Sequence, residues 1–229
     1  MLCTNYDIEP MDIGEQWFLN CYLNPRQFKV SPVRRKDFEG IIKDGKENNI
    51  CLFELKYLEN PNRKDKVDKA FCEAKNNDEL IPFPEWKNIK SDLRDRITKA
   101  TKQLKDNVAL LSEKEGQGLP RVIFIITTQV GNTGESEVVD AIKGGRRLEF
   151  DGKSKIRFGY NSEFNDNTAI NIFSDRFISG VIVIYPMTLK FQEEFGIQKV
   201  LVVKNKVAES EIPKILFDGG YRSVKIISI

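Results

Sequence analysis

The chain has 229 residues, enough for one sizeable α/β domain, and its 36 basic and 34 acidic side chains leave a formal net charge of +2. This near balance excludes the strongly basic composition of a histone-like binder, so nucleic-acid binding would need a local basic patch. Histidine is absent, which excludes serine–histidine and cysteine–histidine hydrolases, histidine general-base nucleases and histidine-ligated zinc. Hydrolytic chemistry in this chain would therefore depend on carboxylates and a metal ion.

The first part of the chain predicts a helix followed by a β-hairpin. Residues 12–23 are typical of a short helix that ends before Asn24-Pro25. Two strand-like runs follow over about 36–58, and the Asp44-Gly45 pair between them is a strong hairpin signal.

The second strand of the hairpin carries two charged residues in an otherwise apolar run, over residues 50–58. Because side chains alternate along a strand, Glu54 and Lys56 share one face with Leu52 and Leu58. The opposite face is apolar and predicts the core face, with Cys51, Phe53, Leu55 and Tyr57.

The first strand carries an acid, Asp37, which two hairpin registers place near Glu54. A four-residue loop over 44–47 sets Asp37 directly opposite Glu54, where Cβ atoms lie roughly 4.5–5.5 Å apart. A two-residue loop at Asp44-Gly45 sets Asp37 opposite Leu52, with Glu54 diagonal to it on the same face. Both registers bring two carboxylates together.

Simpler interpretations stand beside this one. A Glu-x-Lys pair is ordinary on the wet face of an antiparallel strand. Against that interpretation, Leu52 and Leu58 lie on the charged face, and a helix followed by an apolar strand comes next, as expected for a buried strand. Asp44 competes with Asp37 for the role of first acid, but an aspartate in a turn has a structural role of its own, which favours Asp37.

The rest of the chain predicts a long helix and further strands. The helix begins near Pro84 or Asn88 and extends to Glu115, with an apolar stripe at three- and four-residue steps: Leu93, Ile97, Ala100, Leu104, Val108 and Leu111. The run 121–128 predicts a buried parallel strand beside the hairpin. Residues 129–177 predict an irregular insertion, with brief strand-like pieces near 147–150 and 155–160, that could line a substrate groove or contact a second copy in a homodimer. Apolar strands are then expected over 177–185, 200–203 and 224–227, with a short helix over 210–216.

The four cysteines are scattered and lack CxxC spacing: Cys3, Cys21, Cys51 and Cys72. They are typical of reduced thiols in a cytoplasmic protein. The chain opens with no basic-then-apolar leader, and its apolar runs are too short or interrupted to cross a bilayer. We therefore expect a soluble cytoplasmic protein without membrane contact.

The order of Asp37, hairpin, Glu54-Leu55-Lys56 and helix resembles the core of the PD-(D/E)xK nuclease superfamily over roughly residues 10–130. The resemblance implies that residues 1–229 form a single nuclease-like domain of the α/β class, with a mixed central β-sheet flanked by helices in the restriction-endonuclease-like fold. Lys36 stands where the motif has proline, a departure that is frequent in the superfamily.

The resemblance also implies roles for individual residues. Asp37 and Glu54 would be ligands of Mg²⁺, for which Mn²⁺ substitutes, and Lys56 would position or polarise the attacking water. Members often add an acid on the first helix and a glutamine or lysine on the helix after the ExK strand, and Glu15 and Gln103 match those positions. Oxygen ligands of this kind suit a hard divalent cation.

Basic clusters before the hairpin and on the long helix are candidates for phosphate contacts, although each is also explained as solvated surface: Arg34, Arg35, Lys36, Lys99 and Lys102. The resemblance implies a Mg²⁺-dependent endonuclease that acts on nucleic acid, with DNA favoured over RNA, in restriction or defence. Two alternatives share the fold but not the chemistry: a non-catalytic interaction or immunity-type protein, and a module that binds nucleic acid without cutting it.

Overall fold

The structure is a computed structural model that describes residues 13–34, 37–58, 89–111, 118–127, 134–144, 146–150, 156–160, 171–186, 197–218, 221 and 223–229. The α-helices in these ranges are α1 (Ile13–Trp17), α2 (Ile89–Leu110) and α3 (Glu135–Lys143). The strands are β1 (Lys29–Pro32), β2 (Gly40–Lys43), β3 (Asn49–Leu58), β4 (Arg121–Thr127), β5 (Arg146–Phe150), β6 (Ile156–Tyr160), β7 (Gly180–Pro186), β8 (Ile197–Lys204) and β9 (Ser223–Ser228).

Seven of these strands form one mixed sheet, in the order β1-β2-β3-β4-β7-β8-β9. Strands β1, β2 and β3 pair antiparallel, β3, β4 and β7 run parallel, β8 is antiparallel to β7, and β9 is parallel to β8. Helices pack on the sheet, so the predicted α/β class with a mixed central sheet is confirmed. The parallel strands β3, β4 and β7 are the most apolar, as expected for strands buried on both faces.

Both faces of the central strands are covered by helical segments. On one face, α1 and the π-helix that continues it (Phe18–Leu23) bring Phe18 within 5.0 Å of Phe124, measured between ring centroids. On the other face, α2 and α3 pack over Leu52 and Ile123. The predicted core face of β3 is confirmed, and the face that carries Glu54 is covered as well.

Helix α2 packs on the sheet through the apolar stripe that its spacing predicts. Leu93, Ile97, Ala100 and Leu104 are fully buried, while Val108 and Leu111 are partly buried against the same core. The helix ends at Leu110, before the predicted end at Glu115, and residues 112–117 lie outside the described ranges.

The hairpin is confirmed, but its register differs from both predicted alternatives. A β-bulge between Ile42 and Lys43 shifts the pairing, and the Cα partners are Ile41↔Leu52, Ile42↔Cys51 and Lys43↔Asn49. Asp37 lies before β2, and the pairing sets it opposite neither of the two residues proposed for it.

The turn explains the shift in register. It spans residues 44–48, longer than either predicted loop. The Asp44 carboxylate accepts hydrogen bonds from the backbone N–H groups of Lys46 and Asn48, at 2.8 and 2.9 Å, and from the Asn48 side chain at 2.9 Å. Asp44 therefore acts as a turn residue, in agreement with its structural interpretation.

Strand β1 was not predicted from the sequence. It is short, ends at Pro32, and pairs with β2 through Pro32 opposite Gly40. The two backbones approach so closely that a Cβ on Gly40 would collide with the Ser31 carbonyl oxygen and lie 2.8 Å from the Pro32 Cα. Glycine is therefore required where β1 crosses the start of β2.

The segment 129–177, predicted as irregular, contains regular structure. Helix α3 places Val138, Ala141 and Ile142 in the core, and it ends at Gly144, which adopts a positive φ of 95°. The predicted strand-like pieces near 147–150 and 155–160 form β5 and β6, which pair with each other in a separate antiparallel ribbon. Part of the segment therefore belongs to the domain core.

The C-terminal elements agree with the predictions except in the type of one helix. The short helix predicted over 210–216 is a 3₁₀-helix at Lys214–Leu216 with Pro213 as its N-cap. Cys21 and Cys51 are buried and free, as expected for reduced thiols, while Cys3 and Cys72 lie outside the described residues.

Candidate active site

Glu54 and Lys56 form an ion pair on the covered face of β3. The Lys56 Nζ lies 2.8 Å from Oε2 of Glu54. The Glu54 side chain is 2% exposed and that of Lys56 is 17% exposed, so solvent reaches the pair mainly along the lysine side chain. The desolvation cost of a buried pair often exceeds its Coulombic attraction, so stability alone is a poor reason for keeping one.

The electrostatics of Glu54 reflect this burial. Burial raises the pKa of its carboxyl group to about 7, while the Lys56 ammonium acts in the opposite direction. The negative charges of Glu39 and Asp37 also raise the Glu54 pKa, with Glu39 contributing more than Asp37. A carboxyl group shifted to near neutral pH beside specific charged partners is typical of functional sites.

Asn107 on α2 contacts the other oxygen of the same carboxylate. Its Nδ2 donates to Oε1 of Glu54 at 3.4 Å, and its side chain is 3% exposed. The sequence carried a signal for this residue, because Asn107 continues the alternating four- and three-residue spacing of the buried stripe: Leu93, Ile97, Ala100 and Leu104. A polar side chain at a buried position requires a hydrogen-bond partner, and here the partner is Glu54.

Gln103, for which the sequence allows either contact with the hairpin or a place on the surface, is exposed on the flank of α2. The amide that reaches β3 is Asn107, one helical turn later. Arg96, nearer the start of the same helix, donates from Nη1 to the Tyr57 carbonyl oxygen at 2.7 Å and so joins α2 to β3.

Asp37 lies in the segment before β2 and is partly exposed. Its side chain is 45% exposed, and its Oδ2 lies 3.9 Å from Nε of Arg34. Arg34, predicted to contact phosphate, is 44% exposed and pairs loosely with this acid. Glu39, which the sequence interpretation passed over, is half-buried between Asp37 and the start of β2.

The remaining predicted residues lie on α1, on the surface of α2 or outside the described ranges. Glu15 is half-buried on α1. The nearby residues Trp17 and Phe18 pack on the face of the sheet opposite to the one that carries Glu54. Lys99 and Lys102 are exposed on α2. Arg35 and Lys36 lie outside the described residues.

The donors near Glu54 suit a hard cation with few protein ligands. Within the described residues, no group of three or more Cys, Asp or Glu side chains is arranged to hold a metal ion. Mg²⁺ keeps several of its waters and is bound by one or two carboxylates together with substrate phosphate. Glu54 and one acid from the segment before β2 fit that requirement, because both supply carboxylate oxygens.

The chain matches no protein-family model, no curated protein and no solved structure. Among the helices in the described ranges, none combines the length and the hydrophobicity that crossing a bilayer requires. A function for this chain is therefore inferred from the residues around Glu54.

Proposed function

We propose that the protein is a metal-dependent nuclease that hydrolyses phosphodiester bonds of nucleic acid, with DNA as the favoured substrate. The Glu54–Lys56 pair carries this proposal, because it is an acid and an ammonium 2.8 Å apart on a buried strand, with the lysine the more exposed of the two side chains. The pair is also the ExK element of the PD-(D/E)xK resemblance.

The chain topology supports a restriction-endonuclease-like fold for this proposal. A hairpin leads through a long helix to a strand that pairs parallel to the ExK strand, since β3 and β4 are neighbours in the sheet. This is the succession of hairpin, helix and strand on which the resemblance was drawn.

The residues around β3 have separate roles in the proposed reaction. Glu54 and a second acid would hold Mg²⁺ or Mn²⁺, and such an ion makes hydroxide available near neutral pH and stabilises charge on the phosphate. The Lys56 ammonium orients the attacking water and screens the negative charge that develops on the phosphodiester. Asn107 holds the Glu54 carboxylate in one orientation through its hydrogen bond to Oε1.

Exposed basic residues would supply the contacts with the nucleic-acid backbone. Arg34 lies near the acids before β2, and Lys99 and Lys102 lie on the solvent side of α2. Such contacts give affinity that falls with salt and carries no sequence information. A cytoplasmic role in restriction or defence is the setting that we propose for this activity.

A non-catalytic role for the same fold is the second candidate. Both oxygens of the Glu54 carboxylate already have partners, since Lys56 binds Oε2 and Asn107 binds Oε1. The carboxylate is thus satisfied within the protein, as in an interaction or immunity-type protein, or a module that binds nucleic acid without cutting it.

A cleavage assay separates these candidates. Purified protein is incubated with plasmid, single-stranded DNA and RNA in Mg²⁺, Mn²⁺ or EDTA. We expect cleavage that requires the metal, and we expect Lys56→Ala to slow it by about 10²–10³-fold, the cost of losing one preorganised charge-stabilising group. Lys29→Ala, which removes the lysine of an exposed pair, is the matched control and should leave the rate unchanged.

The outcome of the assay decides between the candidates. Binding without cleavage in any metal would favour the nucleic-acid-binding module, and neither binding nor cleavage would favour the interaction protein. Cleavage at the parent rate by Lys56→Ala would remove Lys56 from the mechanism.

A further inference from the structure

The pairing of β2 with β3 determines which residue before β2 lies across from Glu54. Ile41 pairs with Leu52, and partners in an antiparallel pair move in opposite directions along the two strands. If this pairing is continued outward from Ile41, position 39 is the one that lies opposite Glu54. The same continuation sets Asp37 opposite Lys56, two residues beyond Glu39 and diagonal to Glu54.

The face of the sheet agrees with this assignment. Ile41 packs in the same core as Leu52 and α2, which is the face that carries Glu54. Residues two apart in an extended segment share a face, so Glu39 belongs on the side of Ile41.

The backbone beside Glu39 has little room to move. Gly40 pairs with Pro32 of β1, and a Cβ at Gly40 would collide with the Ser31 carbonyl oxygen. This close approach holds the start of β2, and with it the residue before it, against β1.

The electrostatic surroundings separate the two acids in the same way. Both acids are partly buried, but Glu39 acts on the Glu54 carboxyl group more strongly than Asp37 does. Asp37 is 45% exposed and lies 3.9 Å from Arg34, which partly neutralises it.

We infer that Glu39, and not Asp37, is the second carboxylate that joins Glu54 in holding the divalent cation. This inference rests on the proposed function, and it changes the residue that acts at the site. Asp37 then serves as an outer group that orients Arg34 toward the nucleic acid.

The test is a titration of Mn²⁺ into the purified protein, with free Mn²⁺ measured by electron paramagnetic resonance. We expect Glu39→Gln to weaken Mn²⁺ binding about tenfold or more. Loss of a residue that only supports a metal ligand already costs about 10–100-fold in affinity, so loss of a ligand should cost at least as much. The Mn²⁺ affinity of Asp37→Asn should stay within about threefold of that of the parent. This loss is smaller than the loss caused by removing a group that supports a metal ligand. Glu47→Gln, which removes an exposed carboxylate from the same hairpin, is the control for loss of charge.

The outcomes separate this inference from the proposed nuclease activity. Loss of Mn²⁺ binding in Asp37→Asn with retention in Glu39→Gln would overturn the inference and leave the nuclease proposal intact. Loss in Glu39→Gln alone, in a protein that cuts no substrate, would support the inference and oppose the nuclease. Absence of Mn²⁺ binding by the parent would overturn both. Circular dichroism and thermal unfolding confirm that each variant is folded, and Glu39→Asp, which keeps a carboxylate, should recover part of the affinity lost in Glu39→Gln.

Discussion

Two glutamate–lysine pairs lie on and beside the same hairpin, and their surroundings differ. Lys29 and Glu47 meet at the turn end with 62% and 56% of their side chains exposed, whereas Glu54 and Lys56 are 2% and 17% exposed. The hydrogen bond with Lys29 lowers the pKa of Glu47. Burial raises the pKa of Glu54 to about 7 although Lys56 lies beside it. Burial, more than the presence of a partner, therefore decides the direction of the shift.

The opposite shifts give the two pairs opposite effects of pH on stability. Glu47 has a folded-state pKa below its unfolded value, so its contribution is present at neutral pH and is lost as the pH falls through the folded-state pKa. Glu54 has a raised folded-state pKa, so the fold is stabilised by its proton at low pH. That stability is lost as the pH rises from the ordinary value of 4.5 through about 7.

The raised pKa of Glu54 has an energetic cost at neutral and higher pH. At about 1.4 kcal/mol for each pKa unit, the shift from 4.5 to about 7 makes the ionised carboxylate cost about 3 kcal/mol at pH 8. The exposed pair has no such cost. A charged group with such a cost on a buried strand agrees with our proposal, since active sites commonly trade stability for activity.

The largest effect that we expect is the change in stability caused by Glu54→Gln. The neutral amide removes the cost of the buried charge, so at pH 8 we expect the variant to unfold about 6–12 °C above the parent, from about 2–4 °C for each kcal/mol in a chain of this size. At pH 5, where the parent carboxyl group is protonated, most of the difference should disappear. Thermal unfolding followed by circular dichroism at the two pH values makes the measurement.

Glu47→Gln is the matched control for that experiment. It replaces an exposed carboxylate whose ionised form is favoured by Lys29, so it should give no increase in melting temperature at pH 8. A lower melting temperature for Glu54→Gln at pH 8 would mean that the buried pair stabilises the fold, contrary to our account.

A smaller effect on stability is expected from Asn107→Asp, which changes the partner of Glu54 on α2. The substitution puts a second carboxylate where an amide now donates to Oε1 of Glu54. We expect it to cost about 1–3 kcal/mol at pH 8, because it replaces a buried hydrogen bond with like-charge repulsion. Urea unfolding at pH 8 and pH 5 measures the loss, which should shrink at the lower pH.

Asn48→Asp provides the exposed counterpart of this change. Asn48 donates to Asp44 at 2.9 Å in the turn, so the same substitution again places two carboxylates together. Because water and salt screen these charges, we expect a smaller loss that declines further at high ionic strength. Equal losses at the two positions would show that burial does not set the difference.

The smallest expected effect concerns Arg34 and the binding of nucleic acid. If Arg34 contacts a phosphate, Arg34→Ala should weaken binding uniformly across sequences and reduce the slope of log affinity against log salt by about one. Lys46→Ala, at the exposed turn, is the control, and fluorescence anisotropy over a salt series measures both. An unchanged slope would remove Arg34 from the interface.

The sequence predicted the parts of the structure that depend on periodicity. Alternation along β3 placed Glu54 and Lys56 together on one face, and three- and four-residue spacing identified the buried stripe of α2. These patterns are local consequences of strand and helix geometry, so they could be recognised without knowledge of the partners.

The parts that were missed depend on contacts between distant segments. The register of the hairpin depended on a bulge at Ile42 and on the hydrogen bonds of Asp44, so Asp37 was set opposite the wrong residues. A shift of this kind changes every cross-strand pair, and here it sets Glu39 opposite Glu54 when the pairing is continued outward. Asn107 continues the buried stripe of α2 but is polar, so a search for apolar positions does not identify it.

The central claim is that Glu54 is a ligand of a divalent cation at the covered face of β3. Anomalous diffraction from crystals grown with Mn²⁺ tests it most directly. Our account predicts a manganese peak about 2.1 Å from a carboxylate oxygen of Glu54, the distance typical of small hard cations. A crystal with manganese bound elsewhere, and with Glu54 still held by Lys56 and Asn107 alone, would contradict the account.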